Sequence, residues 1–459
     1  MTIVSISKLR VAAVAAASLA SLLLVPAAHA AVDAQKAAEL KTVLTPMGAE
    51  KEGNKDGSIP AWTGGVAPGT AAFIGASGRR ADPYAADKKL YSVTSKNMAE
   101  YGDKLSEGAK ALLQKFPESY RIDVYPTRRS AAAPQWVYDN TFKNATRARL
   151  SKGLVVEQAY GGIPFPIPAN GAEVMSNNLM TWRGESVRTS QQAYLGTSDG
   201  KSVMTTDAML EQQFPYYFKD GALEKFDGEY KLNRFTTLGP AIRAGEAVVS
   251  RINLDEDKSQ AWVYLTGQRR VRMLPNACCD TPSPQTSGVM TYDEIYVFSG
   301  RMDGFNWKLL GKKEMLIPYN TNAFMKPSKA AEVLGPRHLN PDHVRWELHR
   351  VWVVEATLAP GARHNAARSV YYVDEDSWMA VLGDRFDAKG QLWKTLYQLP
   401  VVAPDLLAMI PGAYGFVDML SGTSFANGLM QEKPNQFQVV PRFKYNHFTS
   451  DALAGTGVY

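Results

Sequence analysis

Between Ser259 and Gly300 the chain reads SQAWVYLTGQRRVRMLPNACCDTPSPQTSGVMTYDEIYVFSG, and its opening strand is apolar or aromatic on both faces. Ala261, Val263 and Leu265 share one face, and Trp262 and Tyr264 the other. Neither face can be left to water. Each must be covered by a packed element, or one must look into a cavity. A turn at Thr266-Gly267-Gln268 leads to a second strand, in which Arg269, Arg270 and Arg272 surround Val271.

Much of the rest of the chain is read as strands joined by short turns. The clearest run is SVYYV, WMAVLGDRF and QLWKTLYQL, separated by the polar turns Asp374–Ser377 and Asp387–Gly390. An acidic hairpin loop, Leu254–Lys258, joins strands at Ala247 and Trp262. Further strands are predicted at Leu179–Arg183, Gln192–Gly196, Val203–Ala208, Gln213–Tyr217, Tyr230–Leu238, Trp307–Pro318 and Val344–Leu358. Neighbouring strands with tight turns favour an antiparallel sheet. Helices are expected mainly near the N-terminus. In Ser106–Phe116, Ser106 is placed to cap the helix and Ala109, Leu112, Leu113 and Phe116 form its apolar stripe. The alternating prolines of GGIPFPIP force residues 161–168 into an extended run, and the Asn, Asp and Gly residues of GNKDGSIPAWTGG make a series of turns anchored by Ile59 and Trp62.

Residues 1–30 have the form of a cleavable signal peptide. Lys8 and Arg10 precede an apolar run over 11–25, and Ala28-His29-Ala30 is a small-X-small site. The expected product is a periplasmic protein. Cleavage leaves 49 basic and 45 acidic residues from the original 51 and 45, a net charge of +4. So mild an excess argues against a nucleic-acid partner. The remaining chain divides by its reading into an N-terminal arm with helices packing on the sheet (31–170) and a sheet region with inserted helices and a C-terminal tail (171–459); 31–459 is also compatible with a single domain.

Catalytic signatures are missing. No Gly-X-Ser-X-Gly or Gly-X-Gly-X-X-Gly sequence occurs, and His338, His343, His349 and His364 do not have zinc-site spacing. No metal, cofactor or catalytic residue is assigned. A hydrolase using the histidine region or the cysteine pair is the lesser alternative. The chain's two cysteines, Cys278 and Cys279, are adjacent, so a vicinal disulfide, two thiols or an intermolecular bridge remain open. The aromatic side chains are more informative. Trp262, Tyr264, Trp352, Tyr371, Trp378 and Trp393 all fall in predicted sheet and are the candidate lining of an apolar cavity. Arg269, Arg270 and Arg272 are candidates for an anionic headgroup.

GNKDGSIPAWTGG, GGIPFPIP, the stretch 260–300, and NPDHVRWELHRVWVVEATL with VYYVDEDSWMAVLGDRFDAKGQLWK resemble proteins with the domain of unknown function numbered 1329. That family is similar in fold to the periplasmic lipoprotein carriers LolA and LolB. The resemblance implies a mainly β, α+β architecture: a large curved antiparallel sheet or unclosed barrel with helices on its concave side. It also implies a carrier for a hydrophobic small molecule or lipid, acting with an RND-type transporter and an outer-membrane protein. A structural adaptor between pump and outer membrane is the alternative. The resemblance carries over no ligand contact.

Overall fold

The computed structural model describes residues 31–454 apart from 75–78, 152–153, 275–277 and 434–435. The signal sequence lies outside the described residues.

The N-terminal part alternates short helices with short strands: Ala34–Ala38 (α1), Tyr91–Val93 (β1), Glu107–Lys115 (α2), Ile122–Val124 (β2), Gln135–Ala145 (α3), Arg149–Leu150 (β3), Val156–Glu157 (β4) and Gly171–Leu179 (α4). Ser106 caps α2 as expected, its hydroxyl accepting from the Ala109 amide at 3.0 Å. The meander follows: Ser186–Gly196 (β5), Ser202–Gln213 (β6), Glu229–Gly239 (β7), Ala247–Asn253 (β8), Gln260–Leu265 (β9), Arg270–Met273 (β10) and Phe305–Pro318 (β11). After the short helix Ala330–Val333 (α5) come Trp346–Leu358 (β12), Arg368–Asp374 (β13), Ala380–Phe386 (β14), Leu392–Ala403 (β15), Ala408–Asp418 (β16) and Ser424–Leu429 (β17). Phe437–Val439 (β18) and Ser450–Ala454 (α6) complete the order.

One sheet takes in nearly every strand. Its main path runs β11-β12-β13-β14-β15-β16-β17-β5-β6-β7-β8-β9-β10, antiparallel throughout. The chain therefore enters at the middle of the sheet, builds one half out to β10, crosses to the far rim at β11, and returns. The rims β10 and β11 do not pair with each other, so the sheet is not closed. Each rim is marked by charge, with Arg270 and Arg272 on β10 and Lys308, Lys312 and Lys313 on β11. Charged edge residues discourage further strands from adding there.

Several expected strands correspond to other structures. Leu179–Arg183 is the end of α4 and an irregular turn, and residues 215–217 form a 3₁₀ turn beyond β6. The C-terminal segment is an outer cover: Phe448 and Leu453 are fully buried against Leu232, Ala247, Val249 and Tyr264.

The two faces of the sheet have different covers. On one lie α4 and segment 278–300; α2 and α6 pack on the other. The first face is concave. Ala261 of β9 and Tyr414 of β16 line one small cavity there, although six strand spacings separate β9 from β16. In a flat sheet that separation is about 29 Å. The sheet must bend towards this side for both to reach one cavity.

Candidate functional site

The cavity on the concave face has a volume of about 80 Å³. Its floor comes from alternate residues of neighbouring strands: Leu210 and Gln212 on β6, Lys231, Asn233 and Phe235 on β7, Val248 and Ser250 on β8. Period-two alternation places each set on one face, and antiparallel pairing sets the sets side by side. The lining is mixed: aliphatic and aromatic surface alternates with Gln191, Gln212, Lys231, Asn233, Ser250, Glu256 and Ser299.

Its roof is the segment 278–300, which contributes Cys278, Tyr292, Ile295, Tyr296, Ser299 and Gly300. The roof is irregular but firmly tied. A capping box at Thr291 and Glu294 starts a 3₁₀ turn. Asp293 accepts from Arg385 Nη2 at 2.7 Å and pairs with His364 Nε2 at 2.8 Å. Glu294 accepts from Lys394 Nζ at 2.7 Å. Burial alone would raise the Asp293 pKa; Arg385 and His364 outweigh it and hold the group at about 2. Tyr296 and Val297 follow with φ of 55° and 71°. Left-handed backbone is unfavourable for a β-branched residue, and the anchors on both sides maintain it. The turn directs Tyr296 onto Tyr414, with ring centroids 4.6 Å apart, and buries Val297 and Phe298.

Two further spaces continue from the cavity. One of about 110 Å³ shares Tyr230, Glu256 and Gly300 with it and reaches α4 at Ser176 and Leu179. The next is an open cleft of about 660 Å³, sharing Val155, Val156 and the Asn253–Asp255 turn with the second. Together they mark a path from beneath the roof to the surface beside the β8–β9 hairpin.

Beside the inner cavity lies Arg183, read from the sequence as the end of a strand and given no functional role. Its side chain is buried at 8% exposure. Nη2 donates to Thr181 Oγ1 at 2.9 Å, whereas Nη1 is buried with no hydrogen-bond partner. The guanidinium carbon stands 5.3 Å from the Tyr296 ring centroid and 5.8 Å from that of Phe214. Among the described residues it forms no salt bridge.

The aromatic residues singled out from the sequence lie elsewhere. Trp262 and Tyr264 face the C-terminal cover, on the opposite side of the sheet. Tyr371 shares the concave side but packs against Phe298 and Trp307 under the roof. Trp352 stacks on Trp378 at 6.2 Å, and the Trp378 indole donates to the Met47 carbonyl at 2.8 Å. Trp393 donates to Asp418. None of the six lines the concave cavity. Arg269, Arg270 and Arg272 are exposed at the β10 rim, away from it. Cys278 and Cys279 are two half-buried thiols, and only Cys278 borders the cavity.

The histidines are dispersed. His349 lies in a buried ionic network with Glu347, Asp374 and Asp376, and ligand atoms of His349, Asp374 and Asp376 come within 4.8 Å of one another. Much of that capacity is used by protein cations. Asp376 binds Arg129 through two nitrogens at 2.9 and 2.7 Å, and His349 Nε2 meets Glu347 at 3.0 Å. The network ties the N-terminal arm to the β13–β14 turn.

Fold and site together define an open antiparallel sheet bent over a roofed cavity. Residues 92–454 match the family described as protein of unknown function, DUF1329. An uncharacterized protein of Pseudomonas aeruginosa is 37% identical over 455 residues, covering 96% of this chain and 97% of the relative. The chain belongs to the DUF1329 family. Among solved structures, a DUF1329 family protein from Desulfovibrio piger is similar at 13% identity and a TM-score of 0.41, covering 62% of this chain and 97% of that one. A putative outer membrane lipoprotein-sorting protein domain from Vibrio parahaemolyticus reaches 13% and 0.43, covering 62% and 98%. A LolA superfamily protein from Nitrosomonas europaea reaches 11% and 0.36, covering 62% and 100%.

Proposed function

We propose that this protein is a periplasmic carrier for a hydrophobic or lipid-like molecule. The observation that carries the reading is the concave-face cavity with a tied but irregular roof and adjoining spaces that lead to solvent. An apolar group placed there leaves water at roughly 25 cal/mol per Å². No bond need be made or broken, and the reading assigns no catalytic residue. No helix among the described residues is long and apolar enough to cross a membrane. The resemblance stated above supplies the partners in this reading, an RND-type transporter and an outer-membrane protein.

The roofed cavity of about 80 Å³ is smaller than the several hundred Å³ of a typical ligand site. Loading therefore requires segment 278–300 to lift or the adjoining spaces to merge. The same small volume favours a second reading, a structural adaptor whose interior is filled by its own side chains.

Native mass spectrometry separates the two. Delipidated protein is incubated with fatty acids, phospholipids and sterols and then analysed intact. A carrier retains one class of them at defined stoichiometry; an adaptor retains none.

A further inference from the structure

Arg183 is a buried cation without a counter-ion. Burying a guanidinium is unfavourable unless its donors are satisfied and its charge is paired. Here Nη1 has no partner, the rings beside the guanidinium are those of Tyr296 and Phe214, and no carboxylate among the described residues forms a salt bridge with it. Tyr230 and Tyr296 both line the concave cavity.

A second cation stands close by. Lys231 lines the cavity from β7, near enough to Arg183 for the two to repel, and makes no salt bridge among the described residues. Its Nζ lies 5.9 Å from the Tyr230 ring centroid. Burial, and then Arg183, lower the Lys231 pKa to about 8, so it is still mostly protonated at neutral pH. The acidic group on this cavity is Glu256 at the β8–β9 hairpin; burial raises its pKa, while Lys231 and Arg301 act to lower it. Even with Glu256 ionised, the two cations Arg183 and Lys231 face one carboxylate. Amide groups of Gln191, Gln212 and Asn233 complete its polar lining.

We propose that Arg183 and Lys231 form a headgroup site for an anionic amphiphile, binding its carboxylate or phosphate at the concave cavity while the apolar tail follows the path towards the β8–β9 hairpin. Arginine presents a planar fork of donors matched to either oxyanion. Nη1 has no protein partner; it lies buried beside Tyr296, just outside the cavity lining, and the headgroup reaches it when the roof lifts. Tyr230 and Tyr296 would flank the headgroup and exclude water, which strengthens the pairing. This deepens the carrier reading and rests on it.

The test compares binding of oleate, of oleyl alcohol with the same tail and no charge, of a lysophosphatidic acid, and of inorganic phosphate to the delipidated full protein, by calorimetry or tryptophan fluorescence. Wild-type protein should bind oleate or the lysophospholipid at least tenfold more tightly than the alcohol, with little affinity for free phosphate. Arg183→Gln should reduce that preference tenfold or more and leave alcohol binding unchanged. Lys231→Gln, at a partly exposed position, should reduce it about threefold and serves if Arg183→Gln does not fold. Equal binding of acid and alcohol by wild-type protein, or anion preference unaltered in a folded variant, overturns the headgroup site and leaves the carrier reading intact. Tight binding of inorganic phosphate alone overturns the amphiphile in favour of a free anion. Failure of all the amphiphiles to bind overturns the headgroup site, and native mass spectrometry with phospholipids and sterols then decides the carrier reading separately.

Discussion

Asp293 in the roof and Arg385 in the floor of the sheet meet at 2.7 Å, both essentially excluded from water. The pair joins an irregular segment to a central strand, and Arg385 also lies 3.6 Å from Glu294. Removing one member of a buried pair leaves the other uncompensated, typically at a cost of about 3 kcal/mol or more. Asp293→Asn should therefore loosen segment 278–300 more than the sheet. Hydrogen exchange should show peptides from that segment losing protection, with β13 to β16 little changed. Uniform loss across the molecule would show that the pair secures the whole fold.

The same aspartate gives a pH dependence. Its folded pKa of about 2 lies below the ordinary 3.8. Its stabilisation is fully present above about pH 4 and is lost as pH falls through 2, by on the order of 2 kcal/mol in all. Acid titration followed by near-UV circular dichroism should show this loss in wild-type protein and a flatter profile in Asp293→Asn.

Asp384 on β14 behaves in the opposite sense. It is buried beneath α2, where Tyr372 and Thr395 hydroxyls donate to it, and burial raises its pKa to about 6. The folded state keeps a proton that the unfolded chain has released, so stability falls between about pH 4 and 6 and remains lower above that. Asp384→Asn should add on the order of 2 kcal/mol at pH 7.5 and nothing at pH 3.5, measured by urea denaturation. Gly108 of α2 packs directly on this carboxylate, where an added Cβ would come within 2.2 Å of Oδ1. Gly108→Ala should destabilise the protein at every pH.

Arg183→Met removes an unpaired buried charge at similar volume. If the cation is held for a ligand, the empty protein should gain about 1–3 kcal/mol from its loss. Thermal denaturation of delipidated protein measures this. A large drop in Tm would mean that the guanidinium stabilises the fold through its ring contacts.

Cys278 offers a reporter at the cavity wall. A hydrogen bond from Cys279 lowers its pKa, and the same contact with Cys278 raises that of Cys279. Cys278 should therefore be alkylated first at neutral pH, and oleate should slow that reaction several-fold. Intact mass under non-reducing conditions, with Cys278→Ser as control, gives both answers. Protein inert to the reagent until reduced would show that the two sulfurs are bonded to each other.

How much of this was legible beforehand depended on whether local patterns matched tertiary roles. The run from Arg368 to Leu399 was clear because each strand is bounded by a polar turn, and β13, β14 and β15 pair in sequence order. β16 was missed. Pro411, Gly412 and Gly415 read as breaks, yet Gly415 allows the Phe425 carbonyl to approach where a Cβ would lie within 1.8 Å. α4 was missed because almost all of it is buried, including Glu173, Ser176, Asn177 and Asn178, and it shows no polar-apolar stripe. Asn177 is held there by Phe165, whose amide and carbonyl both bond its side chain.

The bend of the sheet leaves a hollow of about 80 Å³ with a mixed lining, where the sequence suggested an apolar cavity lined by aromatic residues. Size and aromaticity drew attention to residues such as Trp262 and Trp378, which fill the opposite face and the far end of the sheet. The polar positions on β6 and β7 look like ordinary solvent-facing alternation, and only the bend turns them inward. Arg183 reads in the sequence as the end of a strand, whereas it follows α4, and nothing in that pattern marks it as buried. Its signal is the missing counter-ion, which no sequence displays.

The open sheet has a mechanical consequence. Rims β10 and β11 share no ladder, but segment 278–300, which lies between them in the chain, forms the roof. That segment is a clasp as well as a cover. A guest that lifts it slackens a tie between the rims, letting the bend relax outward while the described ladder keeps its interstrand bonds. A sealed barrel would have to sacrifice a seam to gain the same room.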